Sequence, residues 1–195
     1  MDIQGWLNGI QRVDLLIFLY FMAFFVLGFA QGTIRRLIGI ASILFSFLFA
    51  ANVAEPLGNY LASNWTQFSP EYARMIGFMT VFLASSIAFA VVVQGLYKPQ
   101  PLFQKARFLD ELIGGILGIV EAGLIFGCIL VILDSFFRIP GIPPDAQELG
   151  FLRTFYEQID PSKAAALFRD TVIPWFFALT SFLVPDWIEQ FYPGT

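Results

Sequence analysis

Histidine is absent from the 195 residues, cysteine occurs once, and only 13% of positions are charged. Without His the chain lacks the commonest metal ligand and the commonest general base. The lone Cys128 can close no internal disulfide and stands inside an apolar block, so it marks no redox compartment. With no second Cys and no paired intramembrane carboxylates, nothing assembles a nucleophile with its base or a metal site. The expectation is a protein that is not an enzyme, with no catalytic residue, no metal and no cofactor. Positive charge is also scarce: 11 Lys and Arg face 15 Asp and Glu, a net charge of -4. Binding nucleic acid needs clustered Lys and Arg to neutralise phosphates, so that class of partner is excluded.

What is present is apolar. Hydrophobic residues make up 57% of the chain, whereas a soluble domain carries about 25% charged residues. Water is therefore not the main solvent. Crossing a hydrocarbon layer of about 30 Å takes roughly 20 helical residues, and four blocks qualify: 15–34, 37–54, 75–97 and 112–133. Inside lipid every backbone amide must be satisfied within its own segment, so blocks this apolar and Phe-rich read as helices, whereas a β-barrel would need shorter, alternating ones.

The fold expected is an all-α integral membrane protein with four transmembrane helices in two hairpins, followed by C-terminal amphipathic and interfacial helices. Residues 1–138 form the transmembrane region. Residues 139–195 form an amphipathic, membrane-surface region. There Leu149, Leu152, Phe155, Tyr156 and Ile159 recur at helical spacing. Asp160 can cap, and Pro161 can open, a further helix through residues 164–168. The block 171–185, bracketed by Pro174 and Pro185 and rich in Trp and Phe, suits the headgroup boundary, and crossing as a fifth span stays open. So does a re-entrant hairpin over 15–54. A cleaved leader is disfavoured because Asp2 and Asp14 outweigh Arg12.

Basic residues in short loops stay cytoplasmic. Arg35 and Arg36 fall in the first expected loop, and Lys98, Lys105 and Arg107 in the third. Four spans then place both termini outside, on the side of the membrane opposite the cytoplasm.

Lipid tails do not drive helices together, so small residues that let backbones approach must do so. Gly28 with Gly32, Gly114 with Gly118, and Gly123 with Gly127 are spaced by four. They read first as packing faces within the chain and second as faces for a homo-oligomer.

These motifs also carry a resemblance. GFAQGTIRRLIGI, residues 28–40, is similar to the GxxxGxxRxLxxL signature of the colicin V production protein (CvpA) family, with Gly28, Gly32, Arg35 and Leu37 matching. LDELIGGILGIVEAG, residues 109–123, resembles that family's Asp-led second motif through Asp110, Gly114 and Gly118. The chain departs from the family pattern by carrying Glu111 where a basic residue is usual, and Glu121 near another such position. The resemblance implies an inner-membrane protein supporting production and export of colicin V or related bacteriocins, with a role in envelope homeostasis. Its partners would be the lipid bilayer and secretion or envelope proteins.

Glu121 is the remaining singular residue, since a carboxylate at membrane depth costs on the order of 3 kcal/mol and marks function by default. Either it faces the bundle, where Ser85, Ser86 and Gln94 could meet it, or the span starts later and it snorkels to the headgroups. The first case keeps a second function open, a small-solute channel or transporter with Glu121 in its passage.

Overall fold

Gly32 alone separates the first two helices. The computed structural model describes residues 12–65, 67–96, 106–139, 148–180, 183–185 and 188. Helix α1 spans Arg12–Gln31 and α2 spans Thr33–Asn64, and Gly32 between them has φ 77°. That left-handed conformation is open to glycine at no steric cost, so the chain reverses in one residue. The expected first loop is therefore not a loop: Arg35 and Arg36 lie in the opening turns of α2. The end of the second block also shifts. An uncharged run measures the apolar window, but a helix continues while its amides are satisfied, and α2 runs on through Glu55 and Pro56 to Asn64.

Helix α3 covers Pro70–Leu96 and α4 covers Arg107–Phe137. All four helices are long and apolar enough to cross a membrane, and the described residues include no strand. The chain is an all-α, multi-pass membrane protein. Two hairpins of sequence neighbours are not the pairing observed. The closest pairs are α2 with α3 and α1 with α4, while α1 and α2 touch little beyond their joint. Small residues explain both pairings. Ala50, Ala51, Ala54 and Gly58 are buried on α2, and a Cβ on Gly58 would stand 2.6 Å from the Arg74 Cα. On α1 and α4, a Cβ on Gly114 would stand 2.5 Å from the Gly28 carbonyl oxygen, and one on Gly118 would collide with that of Phe24.

Helix α4 is the centre of the bundle. Half of its apolar window is buried, against 6% for α1. Because α1 and α2 diverge from Gly32, a gap opens between them over α4. The C-terminal chain fills it. After α5 (Gly150–Ile159), the Ser162 hydroxyl accepts the Ala165 amide at 3.0 Å. Ser162, rather than Asp160, therefore caps α6 (Lys163–Leu167). A π-helical turn, Phe168–Val172, then leads into α7 (Ile173–Thr180). The Phe168 ring rests on Gly123 and Gly127 and meets Phe126 edge-on at 4.9 Å, while Phe176 meets Phe47 at 5.8 Å. Ile173 and Phe177 are buried beside it, and Trp175 and Leu179 face outward.

The two glycine pairs of α4 therefore differ in what they touch. Gly118→Ala forces backbone apart and should destabilise the protein by about 1–3 kcal/mol. Gly127→Ala meets only the Phe168 ring at 3.7 Å, and relieving a helical glycine should leave stability unchanged or raised by up to about 1 kcal/mol. Thermal unfolding in detergent reads both; equal effects would show that the α1–α4 crossing is not a backbone contact.

Candidate functional site

The glycine crossing brings the motif residues to one place. Asp110 is buried, its carboxylate lies against Gly32, where an added Cβ would stand 2.5 Å from Oδ2, and its carbonyl accepts the Thr33 hydroxyl at 3.0 Å. A carboxylate beside the first amides of α2 is favourably placed, because that end of the helix carries partial positive charge. Gly28, Gly32, Asp110, Gly114 and Gly118 together form the joint between α1, α2 and α4.

One turn further along α2, Arg36 is 5% exposed and forms an ion pair with Glu121 of α4. It also donates to Gln31 Oε1 at 2.8 Å and lies 5.8 Å from the Phe24 ring centroid, so it ties α1, α2 and α4 together. Space for the carboxylate comes from Gly39, whose added Cβ would stand 2.5 Å from Glu121 Oε1. Glu121 thus faces the bundle, but its partner is not the one expected on α3. Ser85 donates to its own helix, to the Val81 carbonyl at 2.7 Å, and Gln94 lies outside the residues whose side chains are described. Ser86 stands across a cavity of about 210 Å³ bordered also by Arg35, Arg36, Gly39, Ser42 and Glu121. Arg35, the basic residue of the first motif, borders this cavity without entering the ion pair.

By local rules Arg36 falls in a loop, whereas the structure places it on α2. The signal was nevertheless there: once a helix starts at Gly32, Arg36, Gly39 and Ile43 share one face, and a basic residue then points at the same interior as Glu121.

A second buried pair was missed altogether. Asp134 has no exposed side-chain surface, and Arg169 grips it with both arms of its guanidinium, at 2.8 and 2.6 Å. Its third nitrogen donates to Asp160 Oδ1 at 2.7 Å. The place of Asp134 at the end of an apolar block reads as a boundary charge, but Asp134 is a fully buried ion-pair partner. Burial opposes the charged form of Arg169, but the Asp134 hydrogen bond and charge outweigh it and raise the pKa, so this guanidinium stays protonated. Burial, and next the Asp134 charge, push the neighbouring Tyr156 hydroxyl upward. These bonds hold α5, α6 and the π turn to the end of α4 remote from Gly32.

A family model described as Colicin V production protein matches residues 13–174, from the start of α1 into α7. No curated protein and no solved structure matches the chain.

The ion pair has a testable signature. Glu121→Gln strands a buried guanidinium and should cost about 3–5 kcal/mol, whereas the double variant Arg36→Met/Glu121→Met should recover most of that loss. Thermal stability of the three proteins in detergent checks it. A Gln variant as stable as the parent would mean that Glu121 is solvated and not paired.

Proposed function

The chain belongs to the colicin V production protein family, and on that premise we propose that it is a non-enzymatic inner-membrane factor for colicin V production and export, with a part in envelope homeostasis. The family membership itself points to a role in colicin V production. The observation that carries the rest is the anchoring of the C-terminal helices by Asp134 and Arg169. It fixes an amphipathic unit at one end of the bundle with Phe151, Trp175 and Leu179 at 66%, 69% and 72% exposure. A fixed apolar surface of this kind suits recruitment of secretion or envelope components at the membrane boundary.

The positive-inside rule supports the orientation, with Arg35, Arg36 and Arg107 at the cytoplasmic end and both termini in the periplasm. The runner-up, a channel or transporter, draws on the cavity beside Glu121. Pairing with Arg36 favours a structural role for that carboxylate, and solute flux into proteoliposomes separates the two readings.

In a colicin V-producing strain deleted for its own family member, this chain should restore secreted toxin activity. Arg169→Gln should lose most of that activity while the bundle still inserts, because the tail is released from α4. An Arg169→Gln chain that exports at the parental level would refute the tail's role. An Arg107→Cys variant should react with an impermeant thiol reagent only from the cytoplasmic face, since the sole native thiol, Cys128, is buried. Labelling from the periplasmic face would reverse the orientation.

A further inference from the structure

The cavity between α2, α3 and α4 carries more unpaired polarity than a packing defect in a membrane protein should. Arg36 is 5% exposed, and while its two terminal nitrogens donate to Glu121 and Gln31, its Nε has no hydrogen-bond partner. The Ser86 hydroxyl on the opposite wall is also buried without a partner. Arg35, half-buried on the rim, forms no hydrogen bond or ion pair with any described residue. An unsatisfied buried donor costs about as much as a lost hydrogen bond, and the cost rises in surroundings as apolar as these.

The charges specify what would satisfy them. Arg35 and Arg36 contribute two positive charges and Glu121 one negative, which leaves one positive charge over. The open groups are the Arg35 guanidinium, the Arg36 Nε–H and a hydroxyl, so the complement is a singly charged anion with several acceptor oxygens. A guanidinium fork matches a phosphate in geometry as well as in charge. The cavity lies one turn beyond Gly32, near the bundle end that carries Arg35, Arg36 and Arg107, and its wall reaches the surface at Ala90. Basic pockets between helices on the cytoplasmic side of a membrane suit anionic headgroups.

We propose that this cavity is a binding site for a phosphodiester group, supplied by an anionic phospholipid headgroup, with Arg35 as the main charge partner and Arg36 Nε and Ser86 as hydrogen-bond donors. The site lies apart from the C-terminal surface and does not depend on the export role. Binding a lipid here would fix α3 against the α1–α2–α4 joint, because Ser86 is the α3 group with a free hydroxyl on the cavity wall.

The test uses the purified full-length chain in dodecyl maltoside, a detergent without phosphate, titrated with phosphatidylglycerol or with inorganic phosphate. Retained lipid is read by native mass spectrometry and stability by melting temperature. Phosphatidylglycerol should be retained and should raise the melting temperature. Arg35→Gln should weaken retention roughly tenfold or more, Ser86→Ala should weaken it more mildly, and Arg107→Gln, which removes a cation 86% exposed, should change nothing. Arg35→Gln should melt like the parent in the detergent alone; if it fails to fold, Ser86→Ala carries the test. Inorganic phosphate that displaces phosphatidylglycerol with the same dependence on Arg35 would support the phosphate chemistry and make the source soluble. Retention insensitive to Arg35 and Ser86, equal loss in Arg107→Gln, or no binding of either ligand to the parent would overturn the assignment.

Discussion

Backbone meets backbone where α1 crosses α4, and the positions of the other elements follow from that contact. In lipid there is no hydrophobic gain from bringing two apolar helices together, so association rests on close packing. Gly28 on α1 and Gly32 just past its end, facing Gly114 and Gly118 on α4, remove the side chains that would keep the axes apart. The same joint contains the φ 77° reversal at Gly32, with the Asp110 carboxylate packed over it. Helix α2 therefore starts beside α4 at a fixed height, and the opening turns of α2 are carried against α4. Arg36 meets Glu121 as a consequence. A charged pair this buried is tolerable only if both members are held in register, since either alone would be stranded.

The far end of the bundle answers a constraint set by the near end. Two helices that part at a single residue leave a wedge-shaped gap, and an empty gap lined by Phe rings forfeits packing on every wall. Phe168 fills it against Gly123 and Gly127, and Arg169 then falls beside Asp134. The π-helical turn at Phe168–Val172 adds an offset to the helix where both residues dock. One helix thus uses two glycine pairs in two ways: the first admits a neighbouring backbone, the second seats an aromatic ring.

The sequence disclosed the span count, the helical class and the glycine faces because each follows from local rules. Uncharged length, amide satisfaction and four-residue spacing need no knowledge of partners. Pairing was not legible in the same way. Gly28 and Gly114 carry the same pattern whichever helix faces them, and nothing local says that α1 prefers α4 to its neighbour α2. Glu121 stands out by its cost, but two adjacent arginines after an apolar run mark a membrane boundary, which puts Arg36 in a loop. The positive φ at Gly32 was what that reading lacked. Asp134 with Arg169 was hidden for another reason: the residues are far apart in the chain, and each taken alone is an ordinary boundary charge. The amphipathic period of α5 was readable, while the docking of α6 and α7 depends on a gap that exists only once α1 and α2 have diverged.

If the glycine crossing sets the ion pair, the two must be energetically linked although they involve different side chains. The most direct measurement is a double-mutant cycle between Arg36 and Glu121, by thermal stability in detergent, run in the parent and again with Gly118→Ala. A coupling of roughly 1–3 kcal/mol is expected in the parent. It should fall markedly in the Gly118→Ala protein, because moving α1 off α4 displaces the start of α2. The same coupling in both backgrounds would mean that the pair forms independently of the crossing, and would contradict the account.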